Sequence, residues 1–136
     1  MASMQNYLKN ALNNHLLRTT PYTRPDNTYL CLFTTKPDKN GANGTEVTGD
    51  PYARVECGPL DANWDVPDST GKVVSLVEFQ FERPTEAWGT IVAWGLADAA
   101  TGGNFLVVED VTTPLEVTAT SLAPVFPVGL LTFTWT

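Results

Sequence analysis

The chain's one histidine restricts the catalytic chemistry that its residues could perform. A serine or cysteine nucleophile needs a base within hydrogen-bonding reach, and His15 is the only imidazole among the 136 residues. It lies in a segment with helical periodicity, and no GxSxG-type turn that would expose a serine lies near it. We therefore predict that the protein is not an enzyme and that His15 is a packed or half-exposed ring.

Carboxylates are the only abundant residue type with functional chemistry. The chain has fifteen Asp and Glu against eight Lys and Arg, which gives a net charge of −7. This charge repels phosphate backbones, so we expect no direct contact with nucleic acid. The acidic spacing does not match an EF-hand loop, zinc ligands are lacking, and no cofactor is predicted. A small hydrolase would need a pair of carboxylates closing on a pocket.

Sulfur and indole groups offer two further kinds of site. Cys31 and Cys57 lack CxxC spacing and lie in strand-like segments, so we predict buried thiols rather than a metal or redox pair. Trp64, Trp88 and Trp94 could form a platform for stacking sugars. Their places within or beside strands favour core or subunit contacts instead.

One amphipathic helix is predicted to precede the strands. Apolar residues recur at intervals of three and four from Met4 to Leu16, which predicts a helix over residues 3–18 with Ser3 as its N-cap. Asparagines interrupt this pattern, so it does not read as a signal peptide. No stretch is long enough to span a bilayer, and we expect no membrane partner.

Strand patterns fill the rest of the chain, from residue 28 to residue 136, separated by turns rich in Gly, Pro and Asp. The predicted strands span residues 28–34, 52–57, 72–82, 88–97, 105–111, 115–120 and 125–136, with a further weak strand near Trp64. Because no helical crossover separates them, they predict one mainly β domain over residues 1–136. The fold class is an antiparallel β-sandwich, jelly-roll-like, of seven to eight strands with one N-terminal helix.

Alternation assigns the faces of the last strand. The face that carries Leu131, Phe133 and Trp135 is predicted to lie in the core. The alternate threonines, Thr136 included, are predicted to face solvent or to make only minor contacts. The Gly-rich stretch 36–51 is predicted to be a long exposed loop, where scaffolds usually place their contacts.

Several strings in order along the chain resemble a known family. They are residues 7–12 (YLKNAL), 15–18 (HLLR), 29–34 (YLCLFT), 46–47 (EV), 52–54 (YAR), 88–90 (WGT) and 98–104 (DAATGGN). Together they resemble small virion structural proteins of tailed bacteriophages, often labelled tail-fibre or head-decoration components. That family supplies no catalytic residues. The family has a polar turn between the last two strands, where this chain has Leu122-Ala123-Pro124. The resemblance therefore does not give the geometry of the final hairpin.

The resemblance implies a virion protein assembled in the bacterial cytoplasm, and two roles remain open. The first is a capsid decoration or cement protein, acting as a homotrimer on the major capsid protein. Its candidate contact residues are Met4, Tyr7, Leu8, Leu12, Val74, Leu76 and Trp94. The second is a tail-fibre or baseplate module, contacting tail proteins and recognising a host glycan. Its candidate loop contacts are Lys36, Lys39, Asn43 and Trp64.

Overall fold

The computed structural model describes residues 3–135, which form ten β-strands and one α-helix. The longest elements are α1 (Asn6–Leu17), β2 (Thr28–Thr35), β7 (Gly89–Ala97) and β8 (Phe105–Val117). The shorter strands are β1 (Ser3–Met4), β3 (Thr45–Glu46), β4 (Val55–Gly58), β5 (Val73–Val74), β6 (Phe79–Gln80), β9 (Val125–Phe126) and β10 (Thr132–Phe133).

The main sheet is antiparallel and has the order β1-β8-β7-β2-β3, with β4 also paired to β2. Its centre is apolar on both faces, because Leu30 and Leu32 lie on one side of β2 while Cys31 and Phe33 lie on the other. Small residues of β7 make room beside Phe33. A Cβ atom on Gly95 would lie 2.8 Å from Cε2 of that ring, so the close packing there depends on glycine.

A second layer covers one face of this sheet. It consists of the pairs β5–β10 and β6–β9, both antiparallel, with a bridge between Trp64 and Ser75. Side chains from both layers meet in one core, including Leu32 and Trp94 from the sheet and Phe79 and Phe133 from the second layer. The predicted fold class, a mainly β, antiparallel, sandwich-like structure with one helix near the N-terminus, is confirmed.

The start of the helix differs from the prediction. Ser3 and Met4 form β1 and pair with Val108 and Val107, so Ser3 is not the N-cap. Gln5 occupies that position without a side-chain capping bond, and α1 begins at Asn6. The backbone hydrogen bonds of β1 satisfy groups that a longer helix would have to satisfy itself, which explains the later start.

Five predicted strands have clearly different bounds, and two of them are divided. Residues 72–82 form two short strands instead of one, because the pairing with β10 ends near Ser75 and the chain bends at Val77 before β6 begins. Residues 105–117 form one strand instead of two, with Pro114 inside it. Residues 125–136 were predicted as one strand, yet a turn over 127–130 separates β9 from β10. The strand predicted over 52–57 is Val55–Gly58.

The last residues confirm the alternation only in part. Leu131 and Phe133 are buried as predicted. Trp135 was predicted to face the core, but it is 42% exposed, because β10 ends at Phe133 and the alternating pleat ends with it. Thr136 lies outside the described residues.

Candidate functional site

An open groove of about 480 Å³ lies between β8 and the segment 124–132 of the second layer. Its floor consists of Leu32, Ile91 and Trp94, which are buried side chains of the main sheet. Its mouth carries Leu115, Val125 and Leu130, all substantially exposed. An apolar mouth over an apolar floor is typical of a contact surface for another protein.

A bulge in β8 builds one wall of the groove. Ile91 pairs with Leu115 and Ala93 pairs with Asp110, so Val92 faces the four residues 111–114. Residues 111–113 line the groove. Pro114, which has no N–H to donate, is tolerated in the strand because the ladder is interrupted there.

A turn anchored on Ser75 builds the other wall. The N–H of Gly129 donates to the carbonyl oxygen of Ser75 at 2.9 Å and to its Oγ at 3.2 Å. The N–H of Ser75 in turn donates to the carbonyl of Leu131 at 3.0 Å. Gly129 has a φ of 80°, a conformation that glycine adopts without strain. This wall is therefore held by hydrogen bonds to the buried Ser75.

Aromatic rings support the floor. The ring of Trp94 lies 6.0 Å from that of Phe126 and 5.7 Å from that of Phe133, both in edge-to-face arrangements. Such pairs add packing energy beyond the area that they bury. The floor of the groove is thus part of the core and does not depend on a partner.

Acidic groups lie at one end of the groove. Glu109 and Asp110 line it, and Nζ of Lys36 donates to Oδ2 of Asp110 at 3.0 Å. Both partners of this ion pair are more than one third exposed, so water and salt screen it. The groove therefore combines apolar surface with negative charge.

At the opposite edge of the sheet, where β3 and β4 pair with β2, an ionic network ties Glu46 of β3 to Arg54 and to the loop between β7 and β8. The guanidinium of Arg54 donates to both carboxylate oxygens of Glu46, at 2.9 and 2.8 Å, and its side chain is 6% exposed. It also donates to the carbonyl oxygens of Ala99 at 2.7 Å and Gly102 at 2.9 Å. The same guanidinium lies over the ring of Phe105, 5.4 Å from its centroid. We call this network the Arg54 clamp.

Tyr52 connects the clamp to the central strand. Its hydroxyl accepts a hydrogen bond from the N–H of Leu32 at 3.0 Å and donates to Oε2 of Glu46 at 2.7 Å. Burial, and then the negative charge of Glu46, raises the pKa of Tyr52 far above its usual value. Hydrogen bonding to Glu46 raises the pKa of Arg54. Tyr52 therefore keeps its proton and Arg54 its positive charge at neutral pH.

The remaining reactive groups lie apart from the groove. Nδ1 of His15 accepts a hydrogen bond from the N–H of Tyr22 at 3.0 Å. Cys31 and Cys57 are buried as predicted, and burial raises the pKa of Cys57 to about 11 and that of Cys31 further. Within residues 3–135, no group of three or more His, Cys, Asp or Glu could hold a metal ion. No helix in that range has the length and hydropathy needed to cross a bilayer.

Residues 3–134 match the family described as podophage GP4 fiber I protein gp80. The chain belongs to this family. The gp80 family is one of bacteriophage virion structural proteins of the fibre type, which confirms the resemblance found in the sequence and implies a location in the virion. No curated protein matches the chain.

The helix residues predicted as contacts of this gp80-family protein have different environments. Met4 is half-buried in β1, opposite Val107. Leu8 and Leu12 are half-buried on α1, where Leu8 packs against the core, and Tyr7 is 42% exposed. Their role in contacts stays a prediction.

The three strand residues predicted as contacts are not brought together on one surface. Val74 pairs with Thr132 and is half-buried, while Leu76 is exposed beyond β5. Trp94 is buried, which leaves its ring to form the floor of the groove rather than an outer contact. Of the three, only Leu76 presents a largely exposed side chain.

The four predicted loop contacts each make interactions within their own chain. The indole of Trp64 stacks on Phe79, and its Nε1 donates to the carbonyl of Cys57 at 2.8 Å. Lys36 pairs with Asp110 as described, and the carbonyl of Lys39 accepts the N–H of Asn6. Nδ2 of Asn43 donates to Asp38 at 2.9 Å in an ordered turn, where backbone donors lower the Asp38 pKa. A sugar-stacking role for Trp64 gains no support from this placement.

Reasoning from the sequence did not find the groove or the Arg54 clamp. Pro114 within a strand pattern and Gly129 after Pro127 are local signals of a bulge and a turn, and they mark both walls of the groove. The clamp has no comparable signal, because Arg54 and Gly102 are 48 residues apart.

Proposed function

We propose that the protein is a non-enzymatic structural component of a podophage tail fibre, assembled in the host cytoplasm, that binds other virion proteins through the apolar groove. The observation that carries this proposal is membership of a fibre-type virion family across residues 3–134. The groove supports it, because a structural component needs apolar surface that its own fold leaves uncovered.

The placement of the polar residues also supports a structural role. The most deeply buried charges, Arg54 and Glu46, satisfy each other and backbone carbonyls, so their interactions hold loops in place. His15 lies on an exposed helix and accepts a backbone N–H. A nucleophile with a base, or a carboxylate pair closing on a substrate, would be arranged around a shared reacting atom.

Deletion of the gene from the phage genome tests the proposal. We expect particles with intact, DNA-filled capsids, an altered tail by electron microscopy, and adsorption to host cells reduced by a factor of about ten or more, since a fibre acts at attachment. Supply of the protein from a plasmid should restore the normal tail and normal adsorption. Normal tails and adsorption in the deletion mutant would contradict the proposal.

Copy number per particle separates this role from capsid decoration. Quantitative mass spectrometry of purified virions should give a number suited to the symmetry of a tail, on the order of ten. A number on the order of hundreds, together with capsids that lose heat resistance in the deletion mutant, would favour the capsid decoration hypothesis. Glycan recognition and the homotrimer stay predictions.

A further inference from the structure

Charge is divided unequally along the chain. Residues 1–25 contain Lys9, Arg18 and Arg24 and no Asp or Glu, so the rest of the chain carries all fifteen acidic residues and the remaining five basic ones. From residue 84 onward there is no Lys or Arg at all. The segment that contains α1 is thus basic, and the segment that builds the groove walls is acidic.

The last turn of α1 exposes apolar side chains that its own sheet does not cover. Leu8 packs against the core, but along the same helix face burial is lost, and Leu16 is 74% exposed. Leu17 beside it is 80% exposed, and Arg18 follows directly. Residues four apart share a face of a helix, so this stripe begins against the core and ends in solvent.

The groove has the complementary properties. Its mouth presents Leu130 and Leu115, and its acidic end presents Asp110, which is 65% exposed in its side chain and also pairs with Lys36. An apolar helix end followed by a cation matches a groove that is apolar and then acidic. The two surfaces lie at different places on one chain, so a second copy can supply the partner.

We propose that the C-terminal turn of α1, through Leu16, Leu17 and Arg18, docks in the groove of a second copy of this chain. The contact is heterologous, with the helix of one copy against the groove of the next, because helix against helix would oppose two basic surfaces. Such contacts close into a ring when the rotation between successive copies permits it, and a ring of three would be the predicted homotrimer. This inference rests on the proposed function, since it supplies a self-contact within the fibre.

Three variants of the full chain test the contact. Leu16→Glu with Leu17→Glu disrupts only the helix end, and Leu130→Glu disrupts only the groove mouth. Leu60→Glu is the matched control, because Leu60 is 57% exposed, as is Leu130, but does not line the groove. Circular dichroism and thermal unfolding establish that each variant is folded.

Sedimentation velocity with light scattering gives the oligomeric state at about 10–100 μM, the range of a moderate self-affinity. We expect wild-type protein and the Leu60 variant to form oligomers, and the helix and groove variants each to be monomeric, with dissociation constants raised about 100-fold or more. A folded groove variant that assembles as wild type does would overturn the proposal, as would a wild-type protein that is monomeric throughout this range.

Mixing the two disrupted variants makes the test specific. The helix variant retains an intact groove and the groove variant an intact helix end, so one heterologous contact remains. We expect a 1:1 heterodimer that does not grow further. No complex in the mixture, while wild type assembles, would mean that the interface lies elsewhere and would overturn the proposal.

Two further measurements complete the experiment: the salt dependence of assembly and the presence of the protein in purified tails. Arg18→Gln should weaken wild-type assembly and reduce its salt dependence, because one screened charge pair is lost. If the protein is present in tails but monomeric, this inference fails and the proposed function stands. If it assembles as described but is absent from tails, the proposed function fails.

Discussion

The two long edges of the main sheet differ in how they are completed. At β3 and β4, the Arg54 clamp fastens the edge with charge-assisted hydrogen bonds to Glu46 and to loop carbonyls. Along β8, the bulge and the Ser75-anchored turn leave a groove with exposed leucines at its mouth. The fold thus uses polar contacts to fasten one edge and leaves apolar surface uncovered on the other.

Removal of the clamp should have the largest effect on stability and tests the difference between the two edges most directly. Arg54→Met leaves the carboxylate of Glu46 mostly buried and without its cation, and we expect the free energy of unfolding to fall by about 3–5 kcal/mol. Urea denaturation followed by tryptophan fluorescence measures the change. Lys36→Met is the matched control, because it removes the exposed pair with Asp110 and should cost at most about 1 kcal/mol. Equal effects of the two substitutions would contradict the distinction between the edges.

Removal of one hydroxyl from the clamp should have a smaller effect. Tyr52→Phe leaves the N–H of Leu32 without its acceptor and takes one donor from Glu46. We expect a loss of about 1–3 kcal/mol in the free energy of unfolding, the cost of buried polar groups left unpaired. The same substitution at the half-exposed Tyr7 should change stability very little. A neutral Tyr52→Phe would mean that Tyr52 does not hold the clamp to β2.

Alkaline pH should weaken the fastened edge through Cys57 of β4. Its pKa rises from an ordinary value of 9.0 to about 11 in the folded state, so the folded protein holds a proton that the unfolded chain loses. Stability from this group is complete below pH 9 and falls as pH rises from 9 to 11, by up to about 1.4 kcal/mol per pH unit. Denaturant titrations at several pH values should give a shallower decline for Cys57→Ala than for wild type.

The smallest effect is expected at the open edge. Leu130→Glu changes an exposed side chain, so in dilute protein we expect the free energy of unfolding to change by no more than about 0.5 kcal/mol. Dilution matters because assembly would otherwise add to the apparent stability. Thermal unfolding followed by circular dichroism provides the measurement. A loss comparable to that of Tyr52→Phe would show that the groove mouth supports the fold itself.

Much of the architecture could be predicted from local pattern. The alternation in β2 and β7 and the 3.6-residue period of α1 gave those elements within one to three residues, because each depends on neighbours in sequence. The predictions failed where a distant residue decided the conformation. Ser75, within one such predicted strand, has its backbone partners at Gly129 and Leu131.

The candidate site was harder to predict from the sequence than the fold was. Trp94 was proposed as a contact and lines the groove, but as a buried floor, and Leu130 was not singled out because a turn leucine has no periodic signal. Trp64 was proposed as a loop contact, yet its ring stacks on Phe79. Exposure depends on which layer covers a side chain, and that cannot be read from one strand.

By itself the sequence determined the mainly β class, the antiparallel arrangement, the acidic charge and the virion family, since these depend on composition, short-range periodicity and strings in order. Only the tertiary structure decided where surface remains uncovered. The clamp joins Arg54 to Gly102, which is 48 positions away, and the groove is built from β2, β7, β8 and the segment 124–132. Contacts over such separations follow from the packing of whole layers, which no local pattern encodes.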